Sequence, residues 1–235
     1  MSRVRIALLL AAHDDADTRR NFRRELDADV AEFPVTEGDL PGTYDFDAVV
    51  VTGSRSSVYW DEPWIAATRE WVRGAADRGI PCLGVCWGHQ LLADALGGRV
   101  APMGEYEIGY REVERVGENP LLSGLDDRFT VFTTHSDAVV ELPEGAEEIA
   151  ANEYGNHGFR REHVFGVQFH PEYDTETARV VTEGKEELAD ERKAAVVDDI
   201  TEENYARACE AKPLFDNFVA YVESVRGGRV ESATD

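Results

Sequence analysis

The sequence predicts an α/β protein: a doubly wound, mainly parallel sheet with helices on both faces, followed by a C-terminal helical extension. Strand and helix signals alternate from the first residues onward, and the early strands are apolar without interruption, as strands covered on both faces must be. The reactive side chains fall just after strands, where open α/β sheets place their ligands.

Taken in order, residues 4–12 form the first strand. Arg3 and Arg5 ahead of it loosely imitate a secretory leader, but the apolar run is short, lacks a clear cleavage site and passes straight into Asp14 and Asp15. Residues 17–26 read as a polar-faced helix and residues 46–52 as a second buried strand ending at Gly53. In residues 63–79, Trp64, Ile65, Ala67, Trp71, Val72 and Ala75 recur near helical spacing, and Gly79 is a stop signal. A short apolar strand at 81–85 leads into a helix at 88–96, closed by Gly97 and Gly98. The middle is richer in strands, at 109–116, 129–134 and 139–142, and residues 164–169 form another. From Asp174 to Val225 the chain is helical and charged, and Gly227, Gly228 and the last residues are expected to fray.

The chain has 235 residues, 43% apolar and 30% charged, a composition suited to a globular domain with an appendage. No apolar run reaches the roughly 20 residues a membrane span needs, so a cytoplasmic protein is expected. Its net charge is −23, and its lysines are Lys185, Lys193 and Lys212. Such a surface repels nucleic acid and anionic membranes, whose binding depends on Lys and Arg neutralising phosphates. Surplus carboxylate with scarce lysine resembles proteins of salt-loving archaea. Self-repulsion is expected to destabilise the fold at low ionic strength and salt to screen it. The thermal midpoint should therefore rise substantially between dilute buffer and molar potassium chloride; a flat response would mark an acidic mesophilic protein instead.

Three cysteines, Cys82, Cys86 and Cys209, make no disulfide framework. Cys82 and Cys86 have no second pair and no nearby His-x-x-x-His, so neither a metal nor a cofactor is expected. Cys86 lies in Gly84-Val85-Cys86-Trp87-Gly88-His89-Gln90, after a strand and opening a helix. This is a G-x-C-x-G nucleophile elbow, in which a sharp strand-to-helix turn holds the nucleophile clear of the sheet. The positive end of the helix favours a thiolate there, and the amide of Trp87 points toward an oxyanion formed at the attacked carbon.

In Phe165-Gly166-Val167-Gln168-Phe169-His170-Pro171-Glu172, a buried strand delivers a histidine at its carboxyl end and a carboxylate two residues later. Pro171 narrows the geometries between them. A cysteine nucleophile needs a base, and the base an orienting acceptor; His170 and Glu172 supply both.

These two stretches resemble the signatures of class I glutamine amidotransferases, and in particular the glutaminase domain of GMP synthase and its free-standing relatives. Weaker likenesses lie at residues 52–59, at Glu107-Ile108-Gly109 and at Thr134-His135-Ser136-Asp137. The resemblance covers residues 1–180 and implies an amidotransferase domain there with a flavodoxin-like core, leaving 181–235 as a helical extension packed on the same domain. It implies that Cys86 attacks the glutamine amide, with His170 as proton carrier and Glu172 as its orienter. The backbone of Ser54 and Trp87 would form the oxyanion hole. Gly53, Gln90, His135, Ser136 and Asp137 would hold the substrate, the last three from a loop. Two positions depart from the family: Gly53-Ser54-Arg55 stands where many relatives have Gly-Gly-Pro, and Ser136 where many GMP synthases have glycine.

A γ-glutamyl hydrolase or peptidase using the same triad differs only in the leaving group, and the sequence leaves both readings open. A non-catalytic regulatory role needs a missing triad member, and none is missing. No Gly-x-x-x-x-Gly-Lys-Ser/Thr loop is present; Gly184-Lys185 lacks the leading glycine and the hydroxyl residue. The amidotransferase reading therefore implies a separate ATP-dependent synthetase chain as partner. His89 reads as a helix residue packed on the sheet; His13, His157 and His163 read as surface residues without partners. Tyr106 and Tyr110 read as lining the pocket mouth or as packing.

Overall fold

The computed structural model describes residues 3–13 and 16–232. Asp14, Asp15 and the last three residues lie outside the described residues. In chain order the strands are β1 (Arg5–Leu10), β2 (Asp29–Pro34), β3 (Ala48–Val51), β4 (Cys82–Val85), β5 (Arg99–Arg115), β6 (Arg128–Glu141), β7 (Glu147–Asn152), β8 (Gly155–Arg161) and β9 (Val164–Val167). The helices are α1 (Ala16–Glu25), α2 (Pro63–Asp77), α3 (Trp87–Ala95), α4 (Thr175–Glu183), α5 (Asp190–Asp199), α6 (Glu202–Cys209) and α7 (Pro213–Ser232). All the strands join one sheet in the order β2-β1-β3-β4-β9-β8-β7-β5-β6. The pairs from β2 through β9 are parallel and form the doubly wound core; β8, β7, β5 and β6 extend it antiparallel.

Alternation along β1 shows how the sheet is covered. Ile6, Leu8 and Leu10 join Phe22 of α1 and Leu214, Phe215, Phe218 and Val222 of α7 in one core. Ala7 and Leu9 point the other way, onto Ile65 and Val72 of α2 and Leu91 and Leu92 of α3. Each of these large side chains contributes about 1.5–3 kcal/mol on burial, so the strand is apolar throughout because both faces are used. A third cluster, with Ile108, Tyr110, Phe132, Leu188 and Ile200, lies where the stretch from α4 to α6 covers β5 and β6.

Several elements differ from the sequence reading. β2 is an edge strand whose acidic sequence shows no clear alternation; pairing with β1 makes it a strand. β7 and β8 form a two-residue hairpin at Glu153 and Tyr154, with Asn152 opposite Gly155 and the Tyr154 amide donating to Asn152 Oδ1 at 2.8 Å. The strands expected at 129–134 and 139–142 are one strand, β6, so His135, Ser136 and Asp137 belong to a strand rather than a loop. The irregularity falls on its partner: residues 103–106 of β5 bulge out between the pairs Pro102–Asp137 and Glu107–His135. Gly227 and Gly228 lie inside α7 rather than in a frayed tail. A helix anchored by Phe215, Phe218 and Val222 continues through glycines that cost it only about 1 kcal/mol each.

No helix among the described residues is long and apolar enough to cross a membrane.

Candidate active site

Cys86 caps the N-terminus of α3 with φ 53° and ψ −106°. Only Glu162 shares a positive φ among the described non-glycine residues. A side chain held there costs on the order of 1–3 kcal/mol, a strain the surroundings must impose. They do so through close packing. A Cβ on Gly84 would sit 2.3 Å from the Gly88 carbonyl oxygen, and one on Gly88 would sit 2.2 Å from that of Val51. The Cys86 amide donates to Val167 O at 2.8 Å, tying the turn to β9, while its carbonyl accepts from Gln90 N at 3.1 Å and starts the helix. The amide of Trp87, in the first turn, belongs to the N–H groups with no partner inside the helix.

β9 also delivers His170. The His170 amide donates to Phe132 O of β6 at 2.9 Å, and its Nδ1 lies 2.8 Å from Glu172 Oε1. Both side chains are buried, and Glu172 Oε2 meets no donor among the described residues, so the carboxylate's side-chain hydrogen bonding there falls on His170. Burial alone would push the imidazole toward its neutral form. The charges of Glu172 and Cys86 outweigh it and hold the His170 pKa well above its ordinary value. Tyr173 stacks on the ring at 4.1 Å, and Arg24 donates to the Glu172 carbonyl at 2.5 Å, fixing the turn from outside. Gly53 packs against the pair: a Cβ there would lie 3.0 Å from His170 Cε1 and 3.7 Å from Cys86 Cβ.

Two cavities meet at Cys86. One, of about 310 Å³, is polar, with Ser57, Gln90, Ser136 and Asp137 among its lining residues. The other, of about 340 Å³, lies on the His170 side and includes Gly53, Tyr173, Val180 and Val181. Ser54 and Arg55 border both, Ser54 half-buried and Arg55 exposed. Gln90 does not reach out freely: its Nε2 donates to Asp137 O at 2.9 Å and to Gln168 Oε1 at 3.0 Å. The Asp137 carboxylate accepts from Ser57 Oγ at 2.5 Å and Tyr59 Oη at 2.9 Å. His135 is buried, with Nδ1 2.9 Å from Asp137 O and Nε2 2.7 Å from Glu107 Oε2. Ser136 is exposed at the cavity wall.

The sequence reading missed Lys185, while Tyr106, which it read as lining the pocket mouth or as packing, lines the polar cavity. Lys185 borders both cavities with its ammonium 5.0 Å from the Tyr106 ring, and Tyr106 reaches Thr134 Oγ1 at 3.3 Å from the bulge of β5. Tyr110 instead packs in the third core, against Phe132. His157 is not a surface residue: it is buried, with Nε2 3.0 Å from Glu107 Oε2. His163 is half-buried and bonded to Tyr221 Oη at 2.6 Å; His13 is exposed but meets Ser56 Oγ at 3.1 Å. His89 is fully buried in α3 against Phe159. The alternation of β8 is too short to reveal the side chain of His157, and nothing local could.

Residues 19–183 match the model of the family described as glutamine amidotransferase class-I. A GMP synthase [glutamine-hydrolyzing] from Thermomicrobium roseum is 42% identical over 53% of this chain and 23% of its own length. One from Marinobacter nauticus is 41% identical over 42% of this chain and 21% of its own length. The chain thus spans under a quarter of these relatives. A glutamine amidotransferase structure from Thermotoga maritima superimposes with a TM-score of 0.79 at 25% identity, covering 93% of this chain and 99% of that one. A Thermoplasma acidophilum protein, provisionally assigned as one subunit of a GMP synthase, shares the fold at a TM-score of 0.70 and 19% identity, covering 97% of this chain and 98% of that one. With the family model covering most of its length, this chain belongs to the class-I glutamine amidotransferases.

Proposed function

We propose that this chain hydrolyses the side-chain amide of glutamine to glutamate and ammonia. The observation that carries the reading is the elbow: Cys86 held at φ 53° at the head of α3, beside a buried His170 bonded to Glu172. Cys86 Sγ attacks the amide carbon, and the negative charge that develops on oxygen is met by the backbone N–H groups of Ser54 and Trp87. His170 donates its proton to the departing nitrogen, which leaves as ammonia, and a thioester remains on Cys86. His170 then takes a proton from water, whose oxygen attacks the thioester and releases glutamate and the thiolate. Glu172 holds the imidazole in register throughout. Gln90, His135, Ser136, Asp137 and the Gly53 turn form the wall against which the amino-acid end rests.

The ammonia goes to a separate ATP-dependent synthetase chain. Support comes from the relatives named as glutamine-hydrolysing GMP synthases and from the Thermoplasma acidophilum protein provisionally assigned as one subunit of such a synthase. A second reading, γ-glutamyl hydrolysis, is favoured by one feature: the cavity of about 340 Å³ on the His170 side offers a leaving group more room than ammonia needs. A panel of glutamine, γ-glutamyl amines and γ-glutamyl peptides, run with and without ATP and candidate acceptors such as XMP, separates these. Glutamine should show the highest kcat/KM, and the isolated chain should consume no ATP in a glutamine-dependent way. ATP-driven amination by the chain alone would end the separate-partner model; preference for conjugates, with no partner captured, would put the hydrolase reading first.

A further inference from the structure

Glu107 is fully buried and sits where four strands converge. Its Oε2 accepts from Nε2 of His135 on β6 at 2.7 Å and from Nε2 of His157 on β8 at 3.0 Å. Its Oε1 accepts from Asn152 Nδ2, at the end of β7, at 2.7 Å. A buried carboxylate with three donors stays ionised. Nδ1 of His135 lies 2.9 Å from the Asp137 carbonyl oxygen, and Nε2 faces Glu107. A backbone carbonyl can only accept, so Nδ1 of His135 donates to Asp137 while the Glu107 carboxylate holds the other side of the ring.

That arrangement connects a buried anion to the catalytic pocket. The Asp137 carbonyl receives two donors, His135 Nδ1 and Gln90 Nε2, the second also at 2.9 Å. Asp137 in turn presents its carboxylate, held by Ser57 and Tyr59, at the polar cavity beside Cys86. We propose that Glu107 is a positioning residue for the amino-acid end of the substrate: its charge keeps His135 donating to Asp137 and so fixes the pocket wall. The proposal rests on the glutaminase reading above. The atoms that Glu107, His135 and His157 offer lie within 4.8 Å of one another, a cluster that could also hold a metal ion. The contacts of 2.7 and 3.0 Å are those of N–H···O bonds, however, and two ligands of a tetrahedral zinc ion stand about 3.3 Å apart.

Glu107→Gln keeps the shape, removes the charge and turns an N–H toward one of the imidazoles. His135 then loses the carboxylate that holds its ring and, with it, its hold on the Asp137 carbonyl. KM for glutamine should rise roughly tenfold while kcat changes by less than about threefold, because the loss falls on substrate binding rather than on the thiol. Alkylation of Cys86 by iodoacetamide, which does not use the pocket wall, should stay within about twofold. Amide hydrogen exchange across residues 134–139 should quicken. Combining Glu107→Gln with His135→Gln should add nothing to His135→Gln alone, since one acts through the other. Should Glu107→Gln fail to fold, Asn152→Ala, which removes one donor and leaves the charge, should raise KM about twofold to threefold. An unchanged KM and exchange rate would overturn the proposal. So would a fall in kcat with KM unchanged in a folded variant, which puts the loss on the chemistry rather than on substrate binding, or a stoichiometric metal lost from Glu107→Gln. If the wild-type chain turned over no glutamine, the glutaminase reading would fall, and the exchange experiment would still decide the role of Glu107.

Discussion

Cys86→Ala is expected to abolish glutamine hydrolysis, lowering kcat on the order of 10⁴-fold or more, while the fold persists. The loss is this large because the proposed reaction proceeds through a covalent thioester that alanine cannot form. The fold persists because the strained turn is imposed from outside, by the Gly84–Gly88 and Gly88–Val51 contacts and the amide bond to Val167, none of which involves the sulfur. The thermal midpoint should shift by no more than about 2–4 °C, the change that about 1 kcal/mol produces in a chain of this size. The other thiols cannot substitute. Cys82 is enclosed in β4, and burial pushes its pKa up to about 12, leaving it protonated and inert. Cys209 ends α6, away from the cavities that meet at Cys86. Ammonia release and a thermal melt on the three single variants check this. Persistent turnover in Cys86→Ala, or an equal loss on replacing Cys209 alone, would remove Cys86 from its role.

His170→Ala should be nearly as damaging, again on the order of 10⁴-fold, and should add little to Cys86→Ala because the members of such a unit fail together. The reason lies in the balance of forces on the imidazole. Burial opposes its charged form, yet Glu172 and Cys86 restore that form, so the ring holds the proton that the proposed mechanism gives to the leaving nitrogen. Alanine removes the proton carrier altogether. Glu172→Gln removes only the orienting charge, and a loss on the order of 10²–10³-fold is expected, smaller than for His170→Ala. Single-turnover measurement of acyl-enzyme formation tests the pair directly. An unchanged acylation rate in His170→Ala would exclude His170 as the proton carrier.

The alternation of strands and helices, the apolar β1 and β3, the Gly-x-Cys-x-Gly elbow and the His-Pro-Glu turn are local patterns. Each depends on residues within a few positions of one another, so sequence alone determined them. Family membership follows from the same strings: a Cβ added at Gly84 or Gly88 would sit 2.2–2.3 Å from a backbone oxygen, so the elbow admits only glycine there. Tertiary structure alone decided the wall of the pocket. Glu107 meets His135 across 28 positions and His157 across 50, and neither distance leaves a trace in local periodicity. The same holds for β2, β7 and β8, which are strands because a neighbour supplies their hydrogen bonds, and for His135, Ser136 and Asp137, whose polar side chains suggest a loop although β5 pairs with His135 and Asp137 on either side of its bulge. Local preference chooses among a few backbone states; only chain-distant contacts choose which buried charge meets which donor, because the desolvation that makes such a pair necessary exists only once the sheet has closed over it.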